Sequence, residues 1–155
     1  MIILGIDPGT LITGFGIIQV THSGYRPLDF GCIKPPAKMS LAERYKVIYE
    51  SIVYIIKQHA PSGIAIETQY VDKNVQSAIK LGMARAMALL AAAQHALAIF
   101  EYTPSRAKRA LVGRGQASKA EVQKMIELLL GLSQVPSDAA DALMLALCHL
   151  HTVGH

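Results

Sequence analysis

The chain has 155 residues, of which 52% are hydrophobic and 17% are charged. This length and apolar content predict one globular domain over residues 1–155 and exclude a disordered polypeptide. A formal net charge of +4 is compatible with a polyanionic partner but does not by itself identify one.

The first half of the sequence predicts an antiparallel meander followed by a helix. Alternating apolar runs and turn residues predict strands over Ile2 to Asp7, Gly14 to Val20 and Leu28 to Ile33. Ser40 is a candidate helix N-cap and Glu43 lies at the capping-box spacing, so a helix should begin there and stop before Pro61. Met1 leads directly into the first strand without a signal-peptide pattern, and we expect a cytoplasmic protein.

The second half predicts two further strands and three helices. They are expected over Ile64 to Ile66, about Asn74 to Leu97, Ala98 to Tyr102, about Lys119 to Leu130 and about Ser137 to His151. The apolar stretch within the long helix is interrupted by Arg85 and is shorter than the roughly 20 residues that cross a bilayer, so we interpret it as buried rather than membrane-spanning.

Smaller features of this half have structural interpretations. Ser137 is the candidate N-cap of the last helix. His149 and His151 point to different helix faces, and we interpret both as surface residues near a frayed end. Cys32 and Cys148 lack metal-ligand spacing, which favours reduced thiols.

This order of elements predicts an α/β fold with a five-stranded mixed sheet and helices on both faces. Asp7 would end the central strand, and the crossover rules place the fourth strand beside the first. Glu67, at the end of the fourth strand, would therefore lie next to Asp7.

Two more acids open the last helix. Asp138 and Asp141 share a helix face at positions i and i+3, although acids in a first turn are also favoured by the helix dipole alone. Asp7 has little structural reason to follow five apolar residues, and a strand-end Glu67 is costly unless it is paired. Four such carboxylates suit Mg²⁺ or Mn²⁺, and two ions about 3.5–4 Å apart can clamp both oxygens of a phosphoryl displacement. The residues therefore predict a metal-dependent nuclease.

A basic segment runs from Pro104 to Lys124. Its only acid is Glu121, and its basic residues are Arg106, Lys108, Arg109, Arg114, Lys119 and Lys124. Such a segment is either a solvated helical face or a surface for a nucleic-acid backbone, and the neighbouring acids favour the second interpretation.

At this level of detail the sequence resembles the RuvC family of bacterial crossover-junction endodeoxyribonucleases. The resemblance covers nearly the whole chain and depends on the order and spacing of several motifs, namely Gly5-Ile6-Asp7-Pro8-Gly9-Thr10, Thr13-Gly14-Phe15-Gly16, Ala65-Ile66-Glu67, Lys73-Asn74, Ser77-Ala78, Lys80-Leu81-Gly82, Ala84-Arg85-Ala86 and Asp138-Ala139-Ala140-Asp141-Ala142-Leu143.

The resemblance implies a ribonuclease H-like fold and a homodimer that resolves four-way (Holliday) junctions by paired symmetric nicks in recombination and repair. It implies that Mg²⁺ is the cofactor, with two ions per active site and Mn²⁺ able to substitute. A branch-migration motor formed by RuvA and RuvB is the implied partner. The residues that would bind metal and catalyse the reaction are Asp7, Glu67, Asp138 and Asp141.

The same resemblance implies a set of DNA contacts. Lys108 and Lys119 match family lysines near the scissile backbone, and Tyr70 falls where the family places an aromatic that meets bases. The full expected set is Tyr70, Lys73, Arg106, Lys108 and Lys119. Asp72 departs from this pattern by adding negative charge to a loop that is expected to face DNA.

Three alternative functions remain open from the sequence. A phosphotransferase or ATPase of the actin and sugar-kinase superfamily shares an Asp-x-Gly-Thr loop but requires a second domain. A nuclease of the same fold that acts on ribosomal RNA precursors would have a similar length and first strand. A catalytically dead DNA-binding module would be expected to have lost at least one acid, and none is lost.

Overall fold

The computed structural model describes residues 1–68 and 73–154. Its elements follow in the order β1 (Ile2–Asp7), β2 (Thr13–Thr21), β3 (Gly24–Ile33), α1 (Leu41–His59), β4 (Gly63–Glu67), α2 (Val75–Gln94), β5 (Ala98–Tyr102), α3 (Pro104–Val112), α4 (Lys119–Leu130) and α5 (Ser137–Thr152).

The strands form one mixed sheet in the order β3-β2-β1-β4-β5. The β1, β2 and β3 strands pair antiparallel as a meander, whereas β4 pairs parallel with β1 and β5 pairs parallel with β4. The sheet order confirms the predicted placement of the fourth strand beside the first. Strand β1 is central and apolar because it is covered on both faces.

Helices cover the two faces of the sheet unequally. On one face, α1 and α2 pack through isoleucines of α1 and alanines of α2 against Leu4, Ile6 and Ile64. On the other face, α5 is the central helix, buried from Ala142 to Leu150, with α3 and α4 packed outside it. The predicted helices on both faces are therefore confirmed.

Local signals explain most helix boundaries. The predicted capping box of α1 is present, since the Glu43 amide donates to Ser40 Oγ and the Ser40 amide donates to the Glu43 carboxylate. Helix α1 ends at His59, and its C-cap Ala60 comes directly before Pro61. The Asn74 side chain caps α2.

Two predictions about the second half are wrong. The basic segment contains a separate helix, α3, which begins with Pro104 at its first position after the Thr103 cap and ends at Gly113 in the left-handed conformation. Ser137 is not an N-cap, because Pro136 occupies that position and no side chain caps the helix. Tertiary packing, rather than a cap, holds the start of α5.

Helix α2 is less buried than predicted. Its alanines face the core, but Val75, Ile79, Met83 and Leu90 are 60, 57, 49 and 46% exposed. Within residues 1–68 and 73–154, α2 is the one helix long and apolar enough to cross a membrane. Of the 18-residue apolar stretch that meets this criterion, 22% is buried against the rest of the protein. The prediction of a buried helix holds only for its inner face.

Candidate active site

Two of the four acids meet at one edge of the sheet. Strands β1 and β4 run parallel with Ile6 opposite Ile66, so Asp7 and Glu67 follow at equivalent positions. Both carboxylates line a cavity of about 160 Å³. When Asp7 is protonated it can donate a hydrogen bond to Glu67, an interaction that raises the pKa of Asp7 and opposes the rise in the pKa of Glu67.

The other two acids arrive on α5, which packs unusually close to the sheet. Gly14 lies opposite Asp7 in the β1–β2 ladder, and a Cβ atom at Gly14 would overlap the Asp138 carbonyl oxygen. A Cβ atom at Gly5 would likewise overlap the Ala142 carbonyl oxygen. The missing side chains let the first turns of α5 lie directly on the strands. Asp141 therefore reaches the wall of the same cavity.

Burial and neighbouring carboxylates both shift the pKa values of the acids in the cavity. Burial, followed by repulsion from Glu67 and Asp141, raises the pKa of Asp7 to about 8. Burial also raises the pKa of Glu67, opposed by the hydrogen bond with Asp7. Asp138 contributes to this repulsion, which places it near the other three acids although it does not line the cavity.

The donor set suits a divalent cation. Within residues 1–68 and 73–154, no three His, Cys, Asp or Glu side chains form a closed ligand cluster in this arrangement. The four acids are nevertheless hard oxygen donors, and burial followed by repulsion from Glu67 and Asp141 raises the pKa of Asp7. A bound cation would relieve that repulsion, so the residues fit Mg²⁺ or a similar ion.

Two lysines also line the cavity. Lys108 comes from α3 and Lys119 from the start of α4. Lys119 Nζ lies 3.4 Å from Asp141 Oδ2, and this carboxylate raises the pKa of the lysine. The two lysines place positive charge beside the acids.

A guanidinium that sequence reasoning did not single out holds the end of β4. Arg85 Nε on α2 donates to the Glu67 backbone carbonyl at 2.9 Å, while its terminal nitrogen pairs with Glu101 on β5. The Thr68 amide also donates to the Tyr102 carbonyl at 2.9 Å. Glu67 is therefore held by α2 and β5 as well as by its own strand.

Other predicted site residues lie outside the cavity. The Arg106 guanidinium sits 5.1 Å from the centroid of the Tyr102 ring and does not line the acidic cavity. Lys73 is exposed just before α2. Tyr70 and Asp72 lie outside the described residues, so their predicted roles stay predictions.

The interpretation of His149 as a surface residue is wrong. Its ring is 2% exposed, stacks on Phe100 at 3.8 Å between centroids, and its Nδ1 lies 2.7 Å from the Tyr102 hydroxyl. Phe100 and Tyr102 of β5 thus pack against the turn of α5 that carries His149, so this turn is packed rather than frayed. His151 is exposed, as predicted.

Fold and cavity together define a ribonuclease H-like α/β protein with a cavity lined by carboxylates. The family described as "Crossover junction endodeoxyribonuclease RuvC" matches residues 3–149. A protein of that name from Protochlamydia amoebophila is 55% identical over 96% of this chain and 90% of its own length. The chain therefore belongs to the RuvC family.

Solved structures agree with this assignment. The Thermus thermophilus RuvC structure has a TM-score of 0.88 and 32% identity, covering 99% of this chain and 95% of that one. A T. thermophilus RuvC complex with a Holliday junction substrate has the same TM-score at 30% identity, covering 99% and 97% of the two chains.

Proposed function

We propose that this protein is a metal-dependent endonuclease that resolves four-way DNA junctions in recombination and repair. The observation that carries the proposal is the cavity in which Asp7, Glu67 and Asp141 face Lys108 and Lys119. Family membership supports junction DNA as the substrate. It also favours this function over the phosphotransferase, the ribosomal RNA nuclease and the dead binding module.

We assign metal binding to Asp7, Glu67, Asp138 and Asp141. Two Mg²⁺ ions held there, with Mn²⁺ as a substitute, would supply an activated water for in-line attack and stabilise the leaving 3′ oxygen. The carboxylates orient the attacking and leaving groups by their fixed positions on β1, β4 and α5. The products would carry 5′-phosphate and 3′-hydroxyl ends.

The two lysines act on the phosphate rather than on the metal. Lys119 is held by Asp141, so its ammonium is positioned before substrate arrives. Lys108, on α3, lines the same cavity. Positive charge fixed in advance beside a scissile phosphate stabilises the negative charge that develops there. Lys73, Arg106 and Tyr70 complete the DNA contacts that we assign.

Paired nicks at one junction require two active sites in one protein assembly. The exposed residues Val75, Ile79, Met83 and Leu90 recur at helical spacing and form one apolar stripe on α2. Such a stripe suits an isologous contact with a second copy. A two-fold homodimer would match a two-fold junction and allow paired symmetric nicks. We place the dimer in the cytoplasm, working with a branch-migration motor of the RuvA and RuvB type.

Cleavage of defined substrates tests the activity. Purified protein would be incubated with a mobile four-way junction, a linear duplex and a single-stranded RNA, each with Mg²⁺ or EDTA. Only the junction should be cut, and only when Mg²⁺ is present. The Asp7→Asn protein should bind the junction but not cut it, whereas the control Glu50→Gln, which changes an exposed carboxylate on α1, should cut normally. Normal cutting by Asp7→Asn would contradict the metal assignment.

Sedimentation tests the dimer. The wild type should sediment as a dimer at micromolar concentration, and Ile79→Lys should sediment as a monomer that nicks a cruciform plasmid without linearising it. Leu128→Lys is the matched control, because Leu128 is 75% exposed on a different helix. Mixed dimers with one Asp7→Asn subunit should also mostly nick. A monomeric wild type that makes coupled paired cuts would overturn this part of the proposal.

A further inference from the structure

A second polar pocket lies beside the acidic cavity. It has a volume of about 380 Å³ and is lined by Ser105, Arg109, Arg114, Gly115 and Gln116. One wall is the first two turns of α3, and the other is the segment that connects α3 to α4. No residue of this pocket lines the acidic cavity.

The pocket is built by close packing. Gly113 ends α3 in the left-handed conformation and turns the chain back toward the start of that helix. A Cβ atom at Gly115 would overlap Ser105 Oγ and approach the Ser105 carbonyl oxygen to 3.1 Å. The connecting segment can therefore lie against the first turn of α3 because residue 115 has no side chain.

Its charged donors are only partly used by the protein. Glu121 accepts from Arg114 through Oε1 and from the Ser118 amide through Oε2, at 2.7 Å for the second bond. The carboxylate thus orients the Arg114 guanidinium while leaving several of its five N–H donors available. Arg109 has no ion pair with any of the residues 1–68 and 73–154.

The first two turns of α3 contribute residues to both the pocket and the acidic cavity. Pro104 and Lys108 line the cavity, and the next residues along α3, Ser105 and Arg109, line the pocket. Consecutive helical residues are about 100° apart around an axis whose side-chain envelope is roughly 10 Å wide. A DNA strand carries one phosphate per roughly 3.4 Å of helix axis, so a strand bound at the acids brings further phosphates within this distance.

We propose that this pocket is a second phosphate-binding subsite, which takes a non-scissile backbone phosphate of the DNA that is cut in the acidic cavity. The inference rests on the proposed function. Two arginines match the oxygens of a phosphodiester through paired N–H donors, and the Ser105 hydroxyl and Gln116 amide add neutral donors. Because these groups meet backbone rather than bases, the subsite sets the position of the strand and not its sequence.

Salt dependence of junction binding tests the subsite. Binding would be measured in EDTA over a range of salt for the wild type, Arg109→Ala, Arg114→Ala and the double variant. Each lost contact should reduce the slope of log affinity against log salt by about 0.9. Arg26→Ala is the matched control, since it removes one exposed arginine from β3 and should leave the slope unchanged. Thermal unfolding of each variant checks that it is folded.

Neutral phosphate analogues then locate the contact. Single methylphosphonates would be placed, one at a time, at non-scissile positions on each side of the cut. A methylphosphonate at one position should weaken junction binding by the wild type. The same methylphosphonate should weaken binding by the double variant little, because the arginines that contact this phosphate are already absent. Arg109→Lys keeps the charge and should retain most of the slope while losing part of this positional effect.

The outcomes separate the subsite from the activity. If the wild type cuts junctions with Mg²⁺ but the double variant keeps the wild-type slope and the wild-type methylphosphonate pattern, the subsite is wrong and the proposed function stands. If the wild type binds no junction and cuts none, the proposed function is wrong and the subsite falls with it.

Discussion

Replacing Asp7 by Asn should stabilise the metal-free protein at alkaline pH. The pKa of Asp7 is raised from 3.8 to about 8 in the folded protein, mainly by burial and then by repulsion from neighbouring acids. Between pH 3.8 and about pH 8, the folded state therefore keeps the proton on Asp7, whereas the unfolded state has released it. Stability contributed by the protonated group is complete below about pH 4 and is lost as pH rises toward 8.

The size of the effect follows from the pH interval. Each pH unit within the window costs about 1.36 kcal/mol, so the wild type should lose up to about 4 kcal/mol between pH 5 and pH 8 through this group. An amide does not ionise, and Asp7→Asn should escape that loss. For a chain of this length the advantage of the variant in melting temperature should grow by at most about 8–16 °C over the same interval.

Thermal unfolding in EDTA at a single protein concentration would measure the difference. Mg²⁺ should then reverse the order, because an ion that binds only the folded state at 100 times its dissociation constant adds about 2.7 kcal/mol, and the variant has lost a ligand. Glu50→Gln is the control, since it changes a carboxylate that is 61% exposed and should not alter the pH dependence. Wild type and Asp7→Asn losing stability in parallel from pH 5 to pH 8 would refute the assignment of the buried charge.

Three further predictions address packing and charge. Gly14→Ala should reduce stability by about 1–3 kcal/mol and slow cleavage, because the added methyl group displaces the Asp138 turn from the sheet; unchanged melting and cleavage would contradict the close approach. Lys119→Ala should slow cleavage and should reduce the slope of log affinity against log salt for junction binding by about 0.9. A variant that matches the wild type in both assays would show that Lys119 is an ordinary solvated surface residue. Tyr102→Phe should cost about 0.5–1.5 kcal/mol in denaturant unfolding because the hydrogen bond between the Tyr102 hydroxyl and the buried His149 ring is lost, and no loss would mean that this bond is energetically neutral.

The fold was largely predictable because its signals are local or follow from chain connectivity. Apolar runs identify the strands, and Ser40 with Glu43 identifies the start of α1. The rules for crossover connections then place Glu67 beside Asp7 without any knowledge of side-chain packing. Helix α3 was missed because its basic composition obscures a short helix whose only clear markers are Thr103-Pro104 and Gly113.

The order of the residues is enough to show which acids the chain carries, at which element ends they stand, and which family it resembles. How closely the acids meet depends on packing, because α5 can approach the sheet only where Gly5 and Gly14, which are distant from it along the chain, have no side chains. Burial of His149 and exposure of the α2 stripe were likewise unpredictable, since a residue's environment depends on what packs against its helix. Local pattern specifies the elements, whereas long-range packing determines how deeply Asp7 is buried and how close the other acids lie, and these two effects raise its pKa.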